Sequence, residues 1–233
     1  MRLSKFLSSA GIASRRASEK LITTRRIKVD GRIITDPAFD VDSQNKIEFD
    51  NKRIEPVSSD KLIYLMLNKP IGVISTMSPG KEIGLCLADL VPIDTRVYPV
   101  GRLDLDTSGL IILTNDGPLT QHLTHPKHKV KKEYHLKTNR PLLPNDYKRI
   151  NRGIPIDSIV VEVDELIPIR GGKFAITIHE GRKRIIRKLF TKVGYRLIEL
   201  KRVSIGSVGL GRLSVGKWRY LTDKEVESLK TPK

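Results

Sequence analysis

Apolar residues near the start of the chain recur at helical spacing. In RLSKFLSSAG they fall at Leu3, Phe6 and Leu7, and Gly11 supplies a stop. Ser14 can cap a second helix, RRASEKLIT, with Ala17, Leu21 and Ile22 on one face and Arg15, Arg16 and Lys20 on the other. RIKVDGRII then alternates Ile27 and Val29 into Asp30-Gly31, a two-residue hairpin signal. The polar stretch EPVSSDK (55–61) reads as a linker. The pattern predicts a small helix-and-hairpin domain over 1–57 and a larger domain over 58–233.

Beyond the linker, strand and helix patterns alternate. KLIYLMLNKP, RVYPVGRLD, LIILTND, KKEYHLKTN, IVVEVDELIPIR, KFAITIHEG and RLIELKRVSIG read as strands. GLCLADLV, PLTQHLTHP, LPNDYKRINRG and KRIIRKLFTKVG read as helices, and strand dominates again until TDKEVESLK. The class predicted is α+β, a mixed, mainly antiparallel sheet with helices on its faces.

Charge narrows the partner. Lys and Arg number 43 against 26 Asp and Glu, a formal net charge of +17. Residues 1–32 hold nine Lys and Arg against two acids, whereas 33–60 hold three bases against seven acids. Such a field attracts polyanions, and nucleic acid is the partner expected. A membrane surface would want a basic amphipathic helix or a lipidation signal, and no convincing one is found. No apolar run reaches the roughly 18 residues needed to span a bilayer, and the start does not read as a signal peptide. The one cysteine, Cys86, allows no intrachain disulfide, which fits a reducing cytoplasm. His122, His125 and His128 are spaced by three, but THPKH holds a proline and reads as a loop rather than a metal cluster.

The chemistry concentrates in GRLDLDTSG (101–109), where Asp104 and Asp106 stand beside apolar runs. Aspartate is a poor strand former, so three readings arise. Both residues cap backbone amides in a turn; or they form a magnesium-binding D-x-D-x-T loop of the haloacid-dehalogenase phosphatase kind; or one is a catalytic carboxylate facing RNA. The phosphatase loop wants a continuous buried strand before it, and here Gly101-Arg102 precedes.

Family resemblance favours the third. RLSKFLSSAGIASRRASEKLITTRRIKVDGRII resembles an S4-type RNA-binding domain, with Arg15, Arg16, Lys20, Arg25, Arg26 and Lys28 as its candidate RNA contacts. GRLDLDTSGL resembles the central motif of the pseudouridine synthases, with LNKPIGVISTM (67–77) similar to their first motif and EGRKRIIRKLF (180–190) to their third. The resemblance runs through nearly all of 61–222 and is nearest the large-subunit rRNA synthase B type, with the small-subunit enzymes sharing the motifs.

The resemblance implies a reaction that cuts the N1–C1′ bond of a uridine, turns the uracil and joins C5 to C1′. No redox change occurs, so no cofactor and no metal are expected. Asp104 matches the family's catalytic carboxylate, acting as nucleophile or base. Arg187 matches the cation expected to pair with it and hold it ionised. Tyr134 matches the tyrosine that stacks on the uracil, Ile186 the apolar residue beside the base, and Arg102 the arginine next to the aspartate, a candidate for holding the flipped base open. Ile185 departs from the pattern, because relatives usually carry glutamine there. The basic runs KHKVKK (127–132) and RKRIIRK (182–188) flank this chemistry, and Lys131, Lys132, Arg182 and Lys183 are candidate phosphate contacts. The substrate implied is rRNA, free or within an assembling ribosomal subunit, and a monomer is expected. A non-catalytic RNA-binding assembly factor of the same fold is the rival reading.

Overall fold

Helices α1 (Leu3–Ser9) and α2 (Arg15–Thr23) form where the apolar spacing puts them. The Ser14 hydroxyl accepts a hydrogen bond from the Ala17 amide at 3.2 Å, which caps α2. Gly11 takes φ +79° just after α1, the left-handed conformation that a helix stop uses. The buried stripe of α2 differs from expectation in one position. Ser18 rather than Ala17 lies in the interior with Ile22, because the stripe is centred on the i, i+4 pair 18 and 22, which leaves Ala17 exposed.

Strands β1 (Ile27–Val29), β2 (Arg32–Ile33), β3 (Ile47–Phe49) and β4 (Lys52–Arg53) follow, in an antiparallel sheet of order β2-β1-β3-β4. Asp30 and Gly31 both have positive φ, 49° and 78°, as a tight hairpin turn requires. Leu3, Leu7, Ile22, Ile27, Val29 and Ile47 fill the core beneath. The computed structural model describes residues 1–78 and 84–231. Its chain divides into two compact units. The first is Met1–Leu62 with Asn115–Gly117, and the second begins at Ile63.

The second unit is built from β5 (Tyr64–Lys69), α3 (Leu87–Leu90), β6 (Tyr98–Pro99), β7 (Ser108–Thr114), α4 (Gly117–Thr124), β8 (Lys132–Thr138), α5 (Pro144–Asn151), β9 (Ile154–Ile156), β10 (Ile159–Val161), β11 (Glu165–Ile169), β12 (Lys173–Ile178), α6 (Ile185–Lys192), β13 (Leu197–Ile205), β14 (Val208–Gly209), β15 (Trp218–Tyr220) and α7 (Asp223–Lys230). Its large sheet has the order β11-β12-β8-β13-β7-β5-β15, with β6 added to β7 and β14 to β13. The pairings are antiparallel except that of β7 with β13, so the mixed, mainly antiparallel α+β class holds. Both faces are covered. On β7, Ile111 and Leu113 join one core with Leu65, Leu67 and Leu136, while Leu110 and Ile112 join the other with Met66. That explains the unbroken LIIL run, since a strand buried on both sides has no polar face.

Two strand expectations are corrected. RVYPVGRLD is strand only at Tyr98–Pro99, because Gly101 at φ +72° turns the chain away from β7. IVVEVDELIPIR is two strands. Ile159–Val161 pairs with β9 in a separate hairpin through Asp157 and Ser158, both at positive φ, and only Glu165–Ile169 joins the large sheet. Among the described residues no helix is long and apolar enough to cross a membrane.

One position fixes the centre of the sheet. Gly109 has φ +107°, and a Cβ placed there would lie 2.1 Å from the Arg202 carbonyl oxygen on β13. Gly109→Ala is therefore expected to destabilise the protein by more than about 3 kcal/mol, read as a lower denaturant midpoint. A second test concerns the cap of α7. Arg219 donates to both oxygens of Glu225 at 2.8 and 2.7 Å, and the Thr222 amide donates at 2.8 Å. These bonds, led by that of Arg219, push the Glu225 carboxyl down to about 2. A depressed carboxyl stabilises the fold above its unfolded pKa and loses that contribution as pH falls through the folded value. Glu225→Gln should cost about 1–2 kcal/mol at neutral pH, and the gap to the parent should close as pH approaches 2 in urea titrations.

Candidate functional site

The turn that carries the two aspartates is held by the segment following β5. The Ser75 hydroxyl donates to the Leu103 carbonyl at 2.7 Å and accepts from the Leu103 amide at 3.1 Å. The Gly72 amide donates to the Leu105 carbonyl at 2.8 Å, and the Thr107 amide closes the turn onto the Asp104 carbonyl at 3.0 Å. Lys69 sits below, fully buried, with its ammonium donating to the carbonyls of Pro70 at 2.9 Å and Val73 at 2.7 Å. Burial pushes the Lys69 amine down to about 8, against the opposing pull of Asp104 and Asp106. The LNKPIGVIST segment thus clamps GRLDLDTSG through the Ser75 hydroxyl and one backbone bond from Gly72.

The two carboxylates have opposite circumstances. Asp106 is held by two guanidiniums. Arg184 donates to its two oxygens at 3.3 and 2.8 Å, and Arg187 Nε stands 3.2 Å from Oδ2. Arg187 Nη2 also donates to the Asp106 carbonyl at 2.6 Å. The direct pair expected between Arg187 and Asp104 does not form, because the first turn of α6 delivers the guanidinium to the 106 position, where both carboxylate and carbonyl accept it. Among the described residues nothing donates to the Asp104 carboxylate or pairs with it within 4.0 Å. The charge of Asp104 is felt at Lys69, Arg184 and Arg187, although burial outweighs it and lowers Lys69 and Arg187. Hydrogen bonding to Asp106 raises Arg184, whereas burial lowers Arg187, which lies deeper.

Asp104 opens into a cleft of about 460 Å³. Its lining holds seven cations, Arg102, Lys132, Arg182, Lys183, Arg184, Arg187 and Arg202, against two carboxylates, Asp104 and Glu180, a balance that favours an anion even with Arg182 paired to Glu180 and Arg184 and Arg187 to Asp106. Arg182 spends its Nε on Glu180 at 2.6 Å. Among the described residues, buried side-chain atoms without a hydrogen bond include one guanidinium nitrogen each from Arg182 and Arg202, while Arg187 Nε has only its ion pair with Asp106. Buried donors left unmet are costly, and two of them in one basic cleft point to a ligand rich in acceptors.

Tyr134 and Ile186, both largely buried, line this cleft, so the tyrosine serves the core and the cavity together. Ile185 is 5% exposed and forms apolar wall where a glutamine was the usual residue. Lys131 and Lys132 separate. Strand alternation points Lys132 inward beside Tyr134 and leaves Lys131 exposed, outside the lining. In the first unit Arg15, Arg16, Lys20 and Arg25 are exposed. Arg26 is paired with Asp50 and lies 4.6 Å from the Phe49 ring, and Lys28 donates to Asn51 at 2.9 Å. The His122 and His128 rings approach to 4.6 Å, but no group of three His, Cys, Asp or Glu among the described residues is arranged to hold a metal ion.

Four participants were not legible beforehand. Asp106 read as a turn residue, Arg184 as one base in a run, and Lys69 and Arg202 as strand residues. Arg184 is the clearest loss, since it sits at φ 55° just before α6, a strained conformation no sequence pattern announces. Arg202 lies directly opposite Tyr134 across the β13–β8 ladder, a juxtaposition set by register alone.

Comparison with known proteins identifies the family. A family model described as RNA pseudouridylate synthase matches residues 63–192, and an S4 domain model matches residues 1–47. An uncharacterized RNA pseudouridine synthase of Mycobacterium tuberculosis (strain ATCC 25618 / H37Rv) is 42% identical over 98% of this chain and 92% of its own. The ribosomal large subunit pseudouridine synthase B of Bacillus subtilis (strain 168) is 34% identical, covering 98% of this chain and 95% of that protein. A crystal structure of a pseudouridylate synthase superposes with a TM-score of 0.71 at 28% identity, covering 98% of this chain and 99% of the other.

The surplus of cations sets a salt test. Lys183 is exposed at the cleft, and among the described residues its side chain enters no hydrogen bond or ion pair. Lys183→Gln should weaken RNA binding and reduce the slope of log affinity against log salt by about one, measured by fluorescence anisotropy.

Proposed function

Because the chain belongs to the RNA pseudouridylate synthase family, we propose that it isomerises a uridine of large-subunit ribosomal RNA, with Asp104 as the reacting carboxylate. The observation that carries this reading is the unpartnered Asp104 carboxylate, open to a cation-rich cleft beside Tyr134. A carboxylate already engaged by arginine is a weak nucleophile and a weak base. One left without a partner has its oxygens available. The likeness to the Bacillus subtilis large-subunit enzyme over almost the whole of both chains supports rRNA of that subunit as substrate.

The target uridine leaves its stack to reach the cleft. Tyr134 offers a face for the uracil, with Ile186 packing at its edge. Asp104 then acts on the nucleotide as nucleophile or base while the N1–C1′ bond breaks. The uracil turns, C5 joins C1′, and the proton displaced from C5 is lost to a base while N1 gains one. Arg187, anchored on Asp106, supplies positive charge to the cleft without quenching Asp104. Arg102, exposed at the rim, faces the strand the nucleotide has left. In the division of labour we assign, residues 1–57 grip RNA through Arg15, Arg16, Lys20, Arg25, Arg26 and Lys28, and residues 58–233 carry the reaction, with Arg182, Lys183 and Lys131 at phosphates.

The test is genetic and chemical together. Mapping pseudouridines in rRNA with and without this gene should show one large-subunit position lost, restored by the parent gene and not by Asp104→Asn. The purified Asp104→Asn protein should lose at least about a thousandfold in turnover yet bind RNA within a few-fold of the parent. Normal turnover by Asp104→Asn would overturn the assignment of the carboxylate. Loss of a small-subunit position instead would overturn the substrate.

A further inference from the structure

Two of the cleft's cations play no part in the carboxylate chemistry. Lys132 is 9% exposed and Arg202 is 3% exposed. Both line the cavity. Alternation along β8 puts Lys132 and Tyr134 on one face, and the β13–β8 register sets Arg202 directly across from Tyr134. The three side chains therefore surround one end of the cleft.

Neither cation is neutralised. The Lys132 ammonium donates to the Val130 carbonyl at 2.8 Å and reaches the His179 carbonyl at 3.5 Å. Arg202 spends its Nε on the Leu110 carbonyl at 2.7 Å, and its buried Nη2 has no partner. Among the described residues no carboxylate lies within ion-pair distance of either. The nearby acids are committed elsewhere, Asp164 to His179 at 2.9 Å and Glu180 to Arg182. Burial pushes the Lys132 amine down to about 8, with Arg202 adding to the effect, which leaves it charged at neutral pH. Two like charges, desolvated and side by side, are destabilising unless an anion joins them.

Resting on the family reading of the site, we propose that Lys132 and Arg202 form a buried anion subsite that takes a phosphate flanking the extruded uridine. An ammonium and a guanidinium together present point charge and forked donors, the combination suited to phosphate oxygens. The subsite lies against Tyr134, so a nucleotide whose base stacks there carries its own phosphate into reach. It fixes the sugar by the charge next to it and gives the cleft a means of selecting a nucleotide over a free base or nucleoside.

Binding of small probes to the intact protein tests this without catalysis. Uridine 5′-monophosphate, uridine 3′-monophosphate and uridine are titrated by calorimetry or by chemical-shift perturbation. At least one monophosphate should bind about tenfold or more tightly than uridine. That preference should vanish in Lys132→Gln and shrink in Arg202→Lys, with uridine affinity unchanged in both. Should a variant fail to fold, the unaltered protein still decides the matter. The preferred monophosphate, and not uridine, should protect the Lys132 amine from acylation mapped by mass spectrometry. Equal binding of uridine and both monophosphates, no binding of any, or a preference that survives both substitutions would overturn the subsite. Inactivity of Asp104→Asn tests the reaction separately, so the two readings fail by different results.

Discussion

The close approach of β7 to β13 at Gly109 governs this molecule. Their parallel pairing at Ser108–Gly109 and Lys201–Arg202 is the one departure from antiparallel order in the large sheet, and it leaves no room for a Cβ. From that crossing β7 runs one way into the two-sided core, and the chain before it folds into the turn bearing Asp104. On the other side β13 carries Arg202 to meet Tyr134 of β8. A glycine with no catalytic atom thus brings together side chains nearly a hundred residues apart.

Charge is apportioned within that frame. Two aspartates two residues apart share one sequence environment, yet among the described residues one carboxylate is bound by Arg184 and Arg187 and the other by none. The difference comes from the entry to α6. Arg184 adopts a left-handed backbone there, the helix begins one residue later, and both guanidiniums project onto 106. Removing both carboxylates would leave the arginines unmatched, and having only one would set them on the reactive group. The pair solves a conflict between keeping cations close and keeping one acid free.

Much of this was legible in the residues. Ser14, Gly11 and Asp30-Gly31 punctuate the first unit by local chemistry, and local chemistry is what sequence reports. The run LIIL revealed a buried strand, and the basic clusters revealed a polyanion partner. What escaped depended on distance in the chain. The Arg187 pairing was assigned to the wrong aspartate because two carboxylates one strand-period apart differ only in which way the turn faces. Lys132 was distinguishable from Lys131 only once the register of β8 was known, and Ala17 from Ser18 only once the helix had a core to pack on. RVYPVGRLD looked continuous because Gly101 acts through its backbone angle, which a hydropathy pattern does not carry.

Seven cations facing two acids also bear on the protein's own stability. In the empty cleft they repel one another, and that repulsion opposes the native state whenever no polyanion is present. On the proposed function, RNA in the cleft would remove it, since anything that binds the folded form alone shifts the unfolding equilibrium by mass action. On that reading the substrate would double as a folding ligand, and the enzyme would be at its least robust between turnovers.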